Sequence, residues 1–376
     1  MVPNLRFSNL DKLMKVRLGD ICTITGGYAF DSHKMTQKGD YQIIKMGNLY
    51  NGIFDLSRNS SFINAPTKKE LEYLIQENDI LITLTGTTNK KDYGYTVQME
   101  QPKNLLLNQR CALIRASKVN EKYLFYLLNS NDFLKQFYAS STGGTGNQTN
   151  VSINDMLDFK VYISNENDQS KISNILNALD KKILTQIKII DRLYSQIKYI
   201  KGQILNMTTI TETKPLGQLC NISTGKRDAN EMKSNGSYKF FTCSKDDYCI
   251  DTYSFDGEAL IISGNGELGL IKYYNGKFDA YQRTYVLQNF KCHPKYLMYV
   301  LQNKLPKKIE KEKNVGAMPY IVLKTLTSIN IDILNMHDQI KIVNILNKFE
   351  EKLENDRMLL ELFEKEKSFL LKNLFV

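Results

Sequence analysis

Amides and cations gathered on polar, Gly-rich turns are the chemistry this chain offers. Asn89, Lys90 and Lys91 follow Gly86-Thr87-Thr88, and Gln148 lies in the polar run 143–150. Later in the chain Lys226 and Arg227 follow Gly225, Asn265 stands between two glycines, and Lys307 and Lys308 belong to a basic stretch at 304–313. One pair occurs twice, as Gln109-Arg110 and Gln282-Arg283, each time ahead of an apolar run. Arg and Lys bind phosphate and read guanine, Asn and Gln read adenine, and phosphate contacts position without specifying sequence. For any single lysine here, a solvated surface role fits as well as nucleic-acid contact. The recurrence of Gln-Arg favours a shared task, either phosphate contact or structure, over the reading of particular bases.

Catalytic patterns are missing. The only histidines are His33, His293 and His337, and His337 directly precedes Asp338, where a helix begins. There is no GxxxxGK[ST], no HExxH, no GxSxG and no Asn/Asp-Pro-Pro-aromatic signature of an amino-methyltransferase. Residues 264–269 spell GxGxxG after the apolar run 259–263. A dinucleotide fold needs a helix next, because its N-terminus holds the pyrophosphate; residues 270–276 read instead as a strand running into a turn. The run 143–150 reads as a loop on a nucleic-acid backbone, as a plain mobile loop or, least well, as a nucleotide cradle. Six cysteines are scattered with no CxxC, and Cys292-His293 is adjacent rather than spaced as zinc ligands are, so buried reduced thiols and no metal site are expected.

The elements that must position these groups read as a mixture of short strands and helices, an α+β chain. Residues 16–22, 41–46, 79–84, 109–114 and 159–163 read as strands, 67–77 and 123–137 as helices, and 153–158 as a short helix capped by Ser152. The plan then repeats. Leu216-Gly217-Gln218-Leu219-Cys220 matches Leu18-Gly19-Asp20-Ile21-Cys22, and the Tyr-Leu runs at 123 and 296 match. The middles of the two segments match poorly, and neither Lys226-Arg227 nor 304–313 has a clear counterpart.

The best-matched stretches are two long helical ones. Asp168-Gln169-Ser170-Lys171-Ile172 recurs as Asp338-Gln339-Ile340-Lys341-Ile342. Each opens an apolar seam stepping by threes and fours, such as Ile172, Leu176, Leu179 and Ile183, or Ile342, Leu346, Phe349 and Leu353, as a coiled coil requires. Gln186 and Asp356 interrupt the two seams at matching places and are expected to fix the register. The domain division is therefore 1–164, a long helix at 165–210, 211–335, and a second long helix at 336–376, with the helices paired antiparallel.

The chain has 376 residues and a net charge of +10, with both globular segments mildly basic and the terminal helix slightly acidic. A modest surplus of this kind suits a polyanion partner. No apolar run approaches the ~20 residues a membrane span needs, and residues 1–15 have no signal-peptide core, so the expected location is the cytoplasm.

With these motifs in place, the chain resembles the specificity subunit of a type I restriction-modification system. The resemblance rests on Leu18-Gly19-Asp20-Ile21, Asp79-Ile80-Leu81-Ile82, Asn108-Gln109-Arg110, Gly146-Asn147-Gln148 before Ser152-Ile153, Asp168-Gln169-x-Lys171-Ile172, and the second-half partners of these motifs. The chain departs from the pattern in the strand before the first long helix, which lacks the family's proline, and in the second Gly/Gln loop, reduced to Gly316-Ala317-Met318-Pro319-Tyr320. The resemblance implies two target recognition domains, each reading one half of a bipartite double-stranded DNA site, and a coiled coil that sets the spacer. It implies two methyltransferase (M) subunits that bind S-adenosylmethionine and methylate adenine, and restriction (R) subunits that use ATP and Mg²⁺. The chain itself would hold no cofactor and would not be an enzyme. Two readings compete with this one: the specificity subunit of a fused methylase-nuclease of another restriction type, separable by the neighbouring genes, and a coiled-coil scaffold with two protein-binding heads, separable by binding to a specific bipartite duplex.

Overall fold

The structure is a computed structural model, and it describes residues 13–143, 147–203, 210–312 and 320–375. Gly144 to Gly146, seam position Ile204, and Gly316 to Pro319 of the second loop lie outside the described residues. The chain divides into two compact units: Met1–Gln186 with Leu359–Val376, and Ile187–Met358.

In unit one the strands are β1 (Met14–Arg17), β2 (Cys22–Gly26), β3 (Tyr41–Ile44), β4 (Phe62–Ile63), β5 (Ile80–Thr83), β6 (Thr85–Thr87), β7 (Thr96–Gln98), β8 (Leu105–Leu107), β9 (Cys111–Ala116), β10 (Thr142–Gly143), β11 (Gln148–Asn150) and β12 (Lys160–Ile163). The central sheet has the order β2-β9-β5-β7 and is antiparallel throughout. Every residue of β5 is buried, which explains its unbroken apolar reading: a strand covered on both faces does not alternate. A second sheet, β4-β3-β8, contains a parallel β3–β8 pair; β10-β11-β6 form a third, and β1 pairs with β12.

Unit two repeats the central sheet, the sheet with a parallel pair and the two-stranded ribbon; among its described residues the sheet β10-β11-β6 has no counterpart. Its strands are β13 (Ile210–Pro215), β14 (Asn221–Thr224), β15 (Tyr238–Phe241), β16 (Tyr248–Ile250), β17 (Glu258–Ser263), β18 (Ile271–Asn275), β19 (Phe278–Ala280), β20 (Thr284–Gln288) and β21 (Asn330–Leu334). They build β14-β20-β17-β18, then β16-β15-β19 with a parallel β15–β19 pair, and the ribbon β13–β21. The middles that match poorly in sequence thus share one topology. Only the pattern of burial is held in common, and many side chains satisfy it.

The helices are α1 (Lys68–Leu71), α2 (Glu121–Leu128), α3 (Asn131–Ala139), α4 (Ile153–Asp158), α5 (Glu166–Gln203), α6 (Pro294–Glu312), α7 (Leu323–Thr327) and α8 (Met336–Leu374). The helix expected at 67–77 is a single turn. Beyond it the Ile75 N–H bonds the Leu105 carbonyl, and the Leu107 N–H bonds the Tyr73 carbonyl; pairing with β8 wins over helix propensity. The helix expected at 123–137 is two helices, because Ser130 caps a new start on the Phe133 N–H. In unit two the same span is the one helix α6, so residues 304–312 take the place that α3 occupies in unit one.

The recurring Asp-Gln of the long helices is a clasp. Asn165 Oδ1 accepts the Asp168 N–H at 2.9 Å, and Asn335 Oδ1 accepts that of Asp338 at 2.9 Å. Gln169, buried, donates to the Ser164 carbonyl at 2.8 Å and accepts the Asn120 N–H at 3.0 Å. Gln339 donates to the Leu334 carbonyl at 2.7 Å and accepts the His293 N–H at 2.8 Å. Each glutamine therefore locks a strand end, a long helix and the start of α2 or α6 into one joint.

Within each unit the long helices run antiparallel. In unit one Lys367 Nζ meets Asp180 Oδ1 at 2.6 Å, and Lys182 lies over the Phe363 ring. In unit two Arg357 lies over Tyr194, and Lys201 Nζ meets Glu350 Oε1 at 3.0 Å. In both, rising numbers on α5 meet falling numbers on α8. Seam residues Ile172, Leu176, Ile190, Leu193, Ile342 and Leu346 are buried. The end of α8 completes the core of unit one, where Phe375 packs its ring 5.2 Å from that of Tyr123.

Candidate nucleic-acid interface

The two Gln-Arg pairs occupy the same rung of the central sheet in each unit. In unit one the Leu84 N–H, just past β5, bonds the Arg110 carbonyl at 3.0 Å, and the Val151 N–H bonds the Leu84 carbonyl at 3.0 Å. In unit two the Gly264 N–H bonds the Arg283 carbonyl at 3.0 Å, and the Ile321 N–H bonds the Gly264 carbonyl at 2.9 Å. The backbone of each arginine is built into the sheet, while Gln109, Arg110, Gln282 and Arg283 are exposed. The exposed guanidinium of each arginine can donate outward from this fixed backbone position.

Around each arginine lies a cleft. In unit one Arg110 shares it with Gln148, Thr85, Thr87, Asp92, Tyr50 and Tyr95. The sheet β10-β11-β6 brings Gln148 there by pairing it with Thr87, and the Thr88 N–H bonds the Asn147 carbonyl at 2.8 Å. Asn89 stands at the tip of the same turn with a positive φ of 63°. Lys90 and Lys91 are exposed beside it, and the Lys91 ammonium lies 5.3 Å from the Tyr138 ring centre. Asp92 shapes this turn by accepting both the N–H and the hydroxyl of Thr87 at 2.7 Å. Burial pushes its carboxyl up, but those two bonds outweigh burial and leave it below the ordinary carboxylate range.

In unit two Gln282 and Arg283 line a cleft with Thr224, Gly264, Tyr285, Tyr320 and Val322. The Gln282 N–H bonds the Arg227 carbonyl at 3.0 Å, so the 225–227 turn stands beside this pair. Gly225 is required there, because a Cβ would fall 2.0 Å from the Ala280 carbonyl oxygen. Lys226 is exposed. Arg227 is held within the unit: its Nε donates to Asp279 Oδ2 at 3.2 Å and its Nη1 to Glu231 at 3.3 Å. Asp279, fully buried, also accepts the hydroxyls of Thr252 and Ser254 at 3.1 Å. Asn265 lies half-buried on the tight turn between β17 and β18, where Gly266 has a φ of 58°. The GxGxxG run is therefore a strand-to-strand turn with β18 where a dinucleotide fold has a helix. Lys307 and Lys308 lie on α6 and do not line the cleft; Lys308 pairs with Glu312 at 2.9 Å. Gln186 and Asp356 are buried, and Lys352 Nζ meets Asp356 Oδ2 at 3.0 Å.

Sequence reasoning missed the tyrosines of both clefts. Tyr320 had a readable signal, since it ends the reduced second loop as Asn150 ends the first. Tyr50 and Tyr95 had none; they come from separate loops and meet edge-on at 5.7 Å. A fork of N–H donors, an amide and aromatic rings on a shallow exposed cleft can contact phosphates and base edges. Among the described residues no group of three or more His, Cys, Asp or Glu could hold a metal ion, and no helix is long and apolar enough to cross a membrane.

Known proteins agree with this architecture. The specificity subunit of the type I restriction enzyme EcoDI from Escherichia coli is 35% identical over 150 residues, which are 40% of this chain and 33% of that protein. A putative type I specificity subunit of Mycoplasma pneumoniae is 26% identical over 224 residues, 55% of this chain and 81% of the relative. The chain thus aligns with about a third of the E. coli relative. The crystal structure of the S subunit of a type I restriction-modification system from M. genitalium superposes with a TM-score of 0.69 at 18% identity, covering 100% of this chain and 99% of that one. A chain from a study of complex assembly in the type I system superposes at 0.56 with 14% identity, covering 97% and 98%. These two likenesses establish the fold. The sequence profile of the type I restriction modification DNA specificity domain matches residues 11–193 and 211–362, and the chain belongs to that family.

Proposed function

We propose that this chain is the DNA-recognition subunit of a type I restriction-modification complex. The observation that carries the reading is the duplicated rung: the same arginine, anchored by the same backbone bonds at the end of the same strand, beside clefts whose other walls differ. A shared cation suits the element common to any two half-sites, the phosphate backbone. Different walls suit different base sequences. Arg110 and Arg283 therefore position, while Gln148 in one head and Tyr320 with Asn265 in the other face bases. Arg227 positions the turn that carries Lys226, because its guanidinium is already held by two carboxylates. Lys90 and Lys91 add phosphate contacts at the rim, and Lys307 and Lys308 add them from α6, away from the cleft.

On this reading residues 1–164 and 211–335 are target recognition domains. The helices at 165–210 and 336–376 set the unread spacer, with Gln186 and Asp356 fixing their register. Adenine methylation belongs to two M subunits that bind S-adenosylmethionine, and cleavage to R subunits that use ATP and Mg²⁺. The chain contributes no catalytic group and no cofactor of its own, and it works in the cytoplasm. The test is to express it with its methyltransferase subunit and map methylated adenines across a plasmid library. A bipartite motif with a fixed gap is expected. A contiguous motif, or methylation unchanged when this chain is omitted, refutes the reading.

A further inference from the structure

Each head also meets the helix pair through a three-group node that DNA contact does not use. In unit one Tyr126 of α2, 2% exposed, donates its hydroxyl to Asp180 Oδ2 of α5 at 2.9 Å, while Lys367 of α8 reaches Asp180 Oδ1 at 2.6 Å. In unit two Tyr299 of α6, fully buried, donates to Glu350 Oε2 of α8 at 2.8 Å, while Lys201 of α5 reaches Glu350 Oε1 at 3.0 Å. The tyrosines are repeat mates, and so are the carboxylate positions. The lysines are not: the repeat mate of Lys201 is Leu371, one turn beyond Lys367. Copying alone does not account for a node assembled twice from partly different residues.

The node joins a head to both long helices at once. The tyrosine belongs to the head, the carboxylate to one long helix and the lysine to the other. Neighbouring contacts stiffen the joint: Lys122 Nζ to Asn177 at 3.1 Å in unit one, and Lys295 Nζ to Asn347 at 3.3 Å with the Asn303 amide on the Lys201 carbonyl at 2.9 Å in unit two. We propose that Asp180 and Glu350 are positioning residues that fix the pitch of each reading head on the helix pair and so confine the protein to one spacer length. The inference rests on the recognition function proposed above. Adding one base pair shifts a half-site by about 3.4 Å and turns it by about 35°. A head held by both helices cannot follow that movement, and a head released from one of them can.

The experiment uses the full chain in complex with its methyltransferase subunits. Selection from random duplexes with the wild-type protein first returns its half-sites and spacer. Competition binding then compares that spacer with spacers one base pair shorter and longer. Asp180→Asn and Glu350→Gln keep an acceptor for the tyrosine but remove the charge that holds the lysine; Lys367→Gln cuts the same link from the other side and leaves the Tyr126–Asp180 bond intact. Wild type is expected to prefer its own spacer by about tenfold or more, and the variants by about threefold or less, with base preference within each half-site unchanged. Variants that melt like wild type and keep its spacer preference overturn the proposal. If Asp180→Asn does not fold, Lys367→Gln decides it. If wild type selects no bipartite motif, the recognition function itself fails, and that is seen before any variant is made.

Discussion

Replacing Arg110 or Arg283 by alanine separates positioning from reading. Each side chain is exposed, and each backbone is fixed by its own carbonyl, which accepts from Leu84 or Gly264 at 3.0 Å. The substitutions therefore remove the guanidinium without disturbing the sheet. A charge-assisted hydrogen bond contributes about 1.5–3 kcal/mol, so each variant should bind the full duplex roughly 10- to 150-fold more weakly. Each neutralised phosphate accounts for a slope of about 0.9 in log K against log salt, so each single variant should flatten the slope by that amount and the double variant by about 1.8. Additivity is expected because the arginines stand in different units with no shared partner. The assay is fluorescence anisotropy of a labelled duplex carrying both half-sites, titrated from low to moderate salt, with every single-base change in each half-site as competitor. The positioning role requires a uniform loss across competitors. A loss confined to one base of one half-site, with an unchanged salt slope, makes the arginine a reader and refutes the assignment.

Two further outcomes follow from the interior. Gln169→Leu leaves the buried Ser164 carbonyl without its donor, and Gln339→Leu does the same to Leu334; each should lower stability by about 1–3 kcal/mol in urea unfolding, and a change below about 0.5 kcal/mol for both would show the clasp to be dispensable. Burial pushes the thiols of Cys22, Cys111 and Cys220 up to about 12 and that of Cys292 to about 11. A raised pKa means less thiolate at any pH below it, about one part in ten thousand at pH 8 for a value near 12. Iodoacetamide at pH 8 should therefore modify the half-buried Cys243 and Cys249 first, as read by peptide mass spectrometry; equal labelling of Cys22 in the folded protein would contradict its burial.

The frame was legible in the sequence because it repeats. Duplicated Asp-Gln starts, Gln-Arg pairs and apolar seams each have a backbone reason: a clasp, a rung and a helix pair. Ser152 was readable as a cap because N-capping is a local event, and its side chain does accept the Asn154 N–H. Where long-range pairing decides the outcome, local reading erred. Residues 72–75 carry helical composition but bond to β8, and 304–313 had no visible counterpart because unit two fuses into α6 what unit one divides at Ser130. The clefts were half legible. Arg110 and Gln148 stood out by type and setting, whereas Tyr50, Tyr95 and Asp92 converge from loops with no periodic relation. Arg227 could not be distinguished from a free cation, since its partner Asp279 lies far along the chain, buried in the middle of β19.

The division between repeated frame and varied lining has a physical logic. Groups shared by the two units are tied into the backbone or the cores: the Arg carbonyl in the sheet, the clasp glutamine under a helix start, the phenol on a half-buried carboxylate. Replacing a clasp glutamine or a node carboxylate disturbs a hydrogen bond whose partner is buried, and such changes are expensive, whereas each arginine carbonyl keeps its bond whatever side chain it carries. The groups that differ, Gln148 and Tyr50 in one cleft and Tyr320 in the other, are exposed side chains on loops or at a strand end, where substitution costs little. If the chain reads DNA as proposed, the groups that set specificity lie where substitution costs little. For the proposed reader of two half-sites, a duplicated α+β head keeps the frame constant while the lining of each cleft varies.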